Sequence, residues 1–199
     1  MWDGLLMTLQ GSGVRLEPLT RQHAAGLRVA AGDGELFRWW PMNPASSDEA
    51  FAAWMATSLE DNREGRRAVF ATIDAAAGTP VGSTSYLNLA PADRRVEIGW
   101  TWLSTAVWGN GINVEAKRLM LGHAFDTLGC HCVQFRTDAM NERSRRAILA
   151  LGASSEGTNR DDRLRDDGTW RSSAEYSILE SEWPAVRKRL DARLADHVA

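Results

Sequence analysis

Trp108-Gly109-Asn110-Gly111-Ile112-Asn113-Val114-Glu115-Ala116 places two glycines in a turn that runs straight into a long apolar helical stretch. Glycine reaches backbone angles closed to other residues, so several N–H groups in such a turn can point into one concavity. The positive end of the following helix reinforces them, and a pyrophosphate fits there. An ordinary strand-to-helix connection uses glycine in the same way, so the turn alone leaves both readings open. Two familiar phosphate loops fail on spacing. A dinucleotide fingerprint needs a third glycine where Val114 stands, and a nucleoside-triphosphate loop needs Gly-Lys followed by Ser or Thr, which is absent.

Upstream of the turn, residues 95 to 103 alternate. Val96, Ile98, Trp100 and Trp102 fall on one side and Arg95, Glu97, Gly99 and Thr101 on the other, which is strand periodicity. Downstream, a helix from about 112 to 128 carries Ala116, Leu119, Met120, Ala124, Phe125 and Leu128, enough to be buried on more than one side, and ends at Gly129. A strand from Cys130 to Thr137 follows, then a short helix over 142–151 closed by Gly152. Asp166-Asp167-Gly168 turns a hairpin between an arginine-rich segment and Tyr176-Ser177-Ile178-Leu179, and Ser181 to Leu194 reads as a terminal amphipathic helix. Before the tryptophan-rich strand come a strand at Val14–Pro18, a helix over 20–31 broken at Gly32-Asp33-Gly34, and a helix begun by a Ser46/Glu49 capping box. That second helix carries Phe51, Trp54, Met55 and Leu59 on one face, and two strands over 68–74 and 80–89 follow it. A strand-helix-strand unit set within a run of strands implies a mixed sheet with helices on both faces.

At 199 residues the chain is expected to form a single domain spanning 1–199. Apolar residues are 44% and charged residues 25%, normal for a soluble globular protein, and no apolar run approaches the ~18 residues of a membrane span. The start from Met1-Trp2-Asp3 lacks the flank and cleavage site of a signal peptide, so a cytoplasmic location without membrane contact is expected. The net charge of −3 argues against broad nucleic-acid binding. Strand alternation places the thiols of Cys130 and Cys132 on one face, where a bridge across a single residue is strained, so buried free thiols are expected. His23, His123 and His197 have no partners at zinc-like spacing, and no metal is expected.

From Glu97-Ile98-Gly99-Trp100 through the glycine turn, Glu115-Ala116-Lys117, Asn141-Glu142-Arg143-Ser144 and Leu151-Gly152-Ala153, the chain resembles a GNAT acyl-CoA N-acyltransferase. The resemblance covers roughly residues 13 to 185 in order. It is strongest to the branch that acetylates N-terminal amines of ribosomal proteins and to relatives that act on small amines. It implies an α/β fold with a mostly antiparallel central sheet splayed between two parallel strands, with helices on both faces. Acetyl-CoA is the implied co-substrate. Its pyrophosphate would lie on the amides of Trp108, Gly109, Asn110, Gly111, Ile112 and Asn113, with Trp108 and Asn113 departing from the family's usual Arg or Gln and Gly or Ala. Its pantetheine arm would run along Thr101, Trp102 and Leu103, with Phe135 to Asp138 as the other half of the splay, and Asn141 would bond the arm. Lys117 and Arg118, or Arg145 and Arg146, are candidates for the 3′-phosphate, although a solvated helix charge is the commoner role for each.

The implied chemistry is direct attack of a neutral amine on the thioester, with coenzyme A leaving. It requires a base for the ammonium, a donor for the oxyanion and a proton for the thiolate. A backbone N–H near Trp102 suits the oxyanion, Glu97 the base, and Ser144 the thiolate, with Tyr176 as a second proton donor. Structural roles stand beside each: Asn141 and Ser144 at a helix start, Glu97 opposite an arginine, Tyr176 in the core. Trp39 and Trp40, followed by Pro41, would line the acceptor site, and the acidic residues Asp33, Glu35, Asp161, Asp162, Asp166 and Asp167 would favour a cationic acceptor if they converge. The acceptor is expected to be a protein N-terminus; the alternatives are a small-molecule amine, or a module that binds acyl-CoA without transfer. Dimerisation through the tryptophan-rich surface or the terminal hairpin is compatible with the pattern.

Overall fold

The computed structural model describes residues 3–32, 34–165 and 167–198; Met1, Trp2, Asp33, Asp166, Ala199 and the side chains of His197 and Val198 fall outside the described residues. Eight strands form one sheet: β1 (Leu9–Gln10), β2 (Val14–Pro18), β3 (Ala68–Asp74), β4 (Thr79–Ala90), β5 (Arg95–Leu103), β6 (Cys132–Asp138), β7 (Ser154–Leu164) and β8 (Trp170–Leu179), in the order β1-β2-β3-β4-β5-β6-β8-β7. Every neighbouring pair is antiparallel except β5 and β6. Five α-helices accompany them: α1 (Ala24–Ala31), α2 (Asp48–Glu64), α3 (Ile112–Gly122), α4 (Glu142–Leu151) and α5 (Trp183–Val198). The mixed sheet and its crossover helix are as the periodicity implies. The two-residue β1 is additional, and is too short to show alternation.

The helix starts follow local chemistry. The cap of α2 is Ser47, whose hydroxyl accepts from the Ala50 amide at 3.1 Å, rather than the expected Ser46/Glu49 box. Ser46 instead donates to the Asn43 carbonyl, because the loop from 43 turns one residue further before the helix begins. The helix from Ile112 runs to Gly122 and then widens into a π-helical turn over His123–Thr127, ending before Gly129, whose φ of +64° favours glycine.

Two apolar cores flank the sheet. One joins α3 and α5 to Val96, Ile98, Val133 and Tyr176, and the other joins α1 and α2 to Val69, Ala71 and Trp102. The tryptophans therefore do not share a face with Val96 and Ile98, as unbroken alternation would have them. Trp100 has φ +48° at a bulge against β4, and this extra residue turns the strand over. Beyond it, Trp102 packs toward α2, whereas Thr101 faces α3 and leaves the side occupied by Glu97.

The thiols also part company. β6 starts at Cys132, so Cys130 lies before the strand and inside the larger core, while Cys132 is half-buried near Glu156 and Arg95. Both are free, and burial raises both above the usual thiol range, Cys130 to about 11. Among the described residues, no helix is long and apolar enough to cross a membrane.

Candidate active site

β5 and β6 pair only at Arg95↔Cys132, Val96↔Val133 and Glu97↔Gln134, although both strands continue. Past Glu97 their facing edges are unpaired, and a cavity of about 710 Å3 opens between them. It extends from Trp108 and the glycine turn to Glu97, Trp39 and Trp40. An unpaired strand edge offers peptide-like hydrogen bonds to any ligand that carries amides.

At one end lies the turn. Gly109 and Gly111 have φ of +80° and +88°, and a Cβ at Gly109 would meet open space, so backbone angle alone calls for glycine there. The amides of Gly109, Gly111, Asn113 and Val114 have no hydrogen-bond partner among the described residues, and all four residues line the cavity. Asn110 and Ile112 turn away: the Asn110 side chain accepts from the Ile112 amide at 3.2 Å, and the Ile112 side chain is buried in the core. Trp108 is locked to the strand by its indole N–H, which donates to the Leu103 carbonyl at 3.0 Å. Glu115 braces the helix start by accepting from the amides of Ser12 and Gly13 at 2.6 and 3.0 Å. A Cβ at Gly13 would lie 2.9 Å from that carboxylate, so a side chain there would displace Glu115 from the amides it holds.

At the other end Glu97 is only 7% exposed and accepts from the Asn88 amide nitrogen at 2.6 Å. Burial pushes its carboxyl above the usual carboxylate range, against the opposing pull of Asn88 and of Arg136. Asn88 and Trp100 are two of four non-glycine residues with positive φ among those described, and both line this end. Such strain gathers at functional sites. Trp40 packs edge-on against Trp100 at 4.8 Å and against Phe37 at 5.2 Å, so it is both core anchor and cavity wall.

Between the ends, Asn141 and Ser144 meet the cavity from the start of α4. The Asn141 side chain caps the helix by accepting from the Ser144 amide at 3.1 Å; the Ser144 hydroxyl has no hydrogen-bond partner among the described residues. Lys117 reaches in from α3, donating to Thr84 at 2.8 Å and Thr101 at 2.6 Å, and burial pushes its amine down to about 7.

Of the expected site residues, the fold brings Trp39, Trp40, Glu97, Thr101, Trp102, Leu103, Trp108, Gly109, Gly111, Asn113, Asn141 and Ser144 to one cavity. Tyr176 is not among them. It is 2% exposed in the larger core, and its hydroxyl accepts from Arg145 Nε at 3.1 Å. Three of the four expected phosphate cations are committed elsewhere: Arg118 pairs with Asp191 at 2.7 Å, Arg145 holds Tyr176, and Lys117 points inward; Arg146 is exposed and does not line the cavity. Arg143 does line the cavity, with its guanidinium 3.8 Å from the centre of the Trp108 ring. Helical spacing could have found it, since Arg143, Ala147 and Leu151 lie on one stripe of α4 with Ser144 and Ile148. Asn88, Arg163 and Arg171 also line the cavity, and nothing in their sequence spacing to Glu97 announces it.

The Acetyltransferase (GNAT) domain model matches residues 14–154. A GCN5-related N-acetyltransferase from Brucella melitensis superposes with a TM-score of 0.86 at 30% identity, over 93% of this chain and 84% of that one. Mycobacterium smegmatis RimJ in complex with CoA-disulfide gives 0.76 at 25% identity, over 90% and 88%. The ribosomal-protein-S5-alanine acetyltransferase of Vibrio fischeri gives 0.71 at 18% identity, over 88% and 98%, a likeness of fold. No protein of curated function matches the chain.

Proposed function

Since the chain belongs to the GNAT acetyltransferase family, we propose that it acetylates the N-terminal amine of a protein, with acetyl-CoA as donor. One observation carries the reading: the amides of Gly109, Gly111, Asn113 and Val114, unpaired among the described residues, and the buried carboxylate of Glu97 open onto the same cavity, across a gap between two strands. The likeness to an RimJ solved with CoA-disulfide supports the donor and favours a protein acceptor.

GNAT enzymes draw on acyl-CoA, which supplies an activated thioester. The cradle fits its pyrophosphate, because four donors converge where neither glycine presents a side chain. Arg143 on Trp108 stands beside the cradle for a further phosphate. The free edge of β5 from Thr101 to Leu103 and the facing edge of β6 receive the amides of the arm, and a backbone N–H near Trp102 meets the developing oxyanion.

Glu97 takes the proton from the incoming ammonium, directly or through a water molecule. Its raised proton affinity brings it closer to the neutral range in which a base is effective. Ser144 gives its hydroxyl proton to the departing thiolate. It sits in the first turn of α4, where the helix dipole favours negative charge. Trp39, Trp40 and Trp100 wall the entry for the acceptor.

The test is coenzyme A release from acetyl-CoA with a panel of unblocked peptides, the same peptides N-acetylated, polyamines, aminosugars and amino acids. Release with unblocked peptides alone is the expected result. A small amine that outcompetes them moves the acceptor to metabolites, and saturable acetyl-CoA binding without transfer to any amine leaves a binding module.

A further inference from the structure

The acceptor end of the cavity carries guanidinium groups that acetyl transfer to an amine does not by itself explain. An amine arrives as an ammonium, and arginines repel it. Yet Arg163 of β7 and Arg171 of β8 line the same cavity as Glu97, and Arg136 of β6 joins them.

Their pairing is incomplete. The Arg163 side chain has no hydrogen-bond or ion-pair partner among the described residues. Arg171 is enclosed, with its side chain 13% exposed and its Nε without a hydrogen bond. Its nearest carboxylate oxygen, Asp138 Oδ2 at 3.7 Å, is already held by Arg165 at 2.7 Å. Arg136 is tied to Glu175 at 2.5 Å and stands 3.8 Å from Asp162 Oδ2, while the buried Asp162 Oδ1 has no hydrogen-bond partner among the described residues. Among the described residues, Arg136, Arg163, Arg165 and Arg171 thus gather around Asp138, Asp162 and Glu175, with Glu97 within electrostatic reach of Arg136 and Arg163, and the hydrogen bonds of that group leave Arg163 and the Arg171 Nε unmet. Burial above all, and then Arg163 and Arg136, works against the charge on Arg171, which only Asp138 and Asp162 support.

A buried guanidinium with an unmet N–H is destabilised relative to a satisfied one, and an oxyanion between it and a second arginine meets that need with charge-assisted bonds. Such a group also removes the repulsion that the ammonium would otherwise meet. We propose that Arg163 and Arg171 bind a carboxylate of the acceptor, so that the peptide acetylated by this enzyme carries Asp or Glu close behind its N-terminal residue. The inference rests on the N-terminal reading above. The α-carboxylate of a free amino acid offers the same chemistry, and the test separates the two sources.

The probes are three peptides identical except for Glu, Gln or Lys at the second residue, together with free glutamate and its α-amide. Transfer from acetyl-CoA gives kcat/KM, and quenching of the fluorescence of the tryptophans around the cavity, with coenzyme A present, gives affinity independently of turnover. The expected result is a preference for the Glu over the Gln peptide of about tenfold, with the Lys peptide weaker still and the preference shrinking as salt rises. Arg163→Gln brings the Glu-to-Gln ratio close to one, and Arg163→Lys restores part of it. Peptides used without regard to charge, or a preference that survives Arg163→Gln, overturn the carboxylate pocket and leave the N-terminal reading standing. Glutamate preferred over its amide in an Arg163-dependent way, with no peptide used, sinks the N-terminal reading and keeps the pocket. Binding of none of these probes overturns the pocket.

Discussion

The two ends of the cavity are built in opposite ways. The cradle end is one contiguous segment, residues 108–114, in which two left-handed glycines and a helix start leave four cavity-lining residues with amides unmet among the described residues. The acceptor end draws Trp39 and Trp40 from the loop after α1, Asn88 from β4, Glu97 and Trp100 from β5, Arg136 from β6, Arg163 from β7 and Arg171 from β8. The first depends on backbone angle, which neighbouring residues dictate. The second depends on strand order, so its charges meet only once the sheet is assembled.

The sharpest way to break that contrast is to spoil the local end with one residue. Gly109→Val forces a β-branched side chain to φ +80°, and closing the cradle should lower kcat/KM for acetyl-CoA by about 1,000-fold, chiefly through KM. Titration calorimetry with acetyl-CoA, against dephospho-CoA, shows whether the loss is in binding. Retention of tight binding would mean that the amides of the turn are not the phosphate site.

Next comes the remote end. Glu97→Gln should reduce kcat by about 100-fold at neutral pH with little change in KM for acetyl-CoA. Because burial raises the Glu97 carboxyl, the natural chain should lose activity as pH falls through a point above 4.5, and that limb should vanish in the variant. An unaltered acidic limb would assign the base elsewhere.

Arg143→Ala probes the join between cradle and α4. Loss of the guanidinium on Trp108 should raise KM for acetyl-CoA about tenfold and leave kcat nearly intact. The effect should be smaller with dephospho-CoA, if Arg143 meets the 3′-phosphate.

Lys117 underlies both ends, and its effect on turnover should be the smallest. Its amine is protonated in the folded chain only below about 7, while the unfolded amine holds its proton to about 10.5. Between those values the unfolded chain binds more protons, so stability rises with pH across that window. Lys117→Met should remove this slope and stabilise the protein by about 1–3 kcal/mol at pH 6, less at pH 9, by urea unfolding.

The strands and helices were mostly legible in the sequence, and the exceptions share a cause. Alternation places Trp100 and Trp102 with Val96 and Ile98, but the bulge at Trp100 inserts one residue and reverses the parity that follows. Thr101 and Glu97 consequently point to opposite sides. Cys130 and Cys132 likewise diverge because the strand begins only at the second of them. Arg118 and Arg145 read along the chain as free helix charges, and partners far along it, Asp191 and Tyr176, engage both.

The sequence by itself determined the glycine turn, the strand before it, the helix after it and the resemblance that runs through them. Backbone conformation and hydrophobic period are set within a few residues, so they can be read along the chain. The tertiary structure alone decided which side chains share the cavity, how far burial shifts Glu97 and Lys117, and which arginines remain unpaired. Burial and ion pairing depend on distances between segments up to about a hundred residues apart, and only the packed sheet defines those distances.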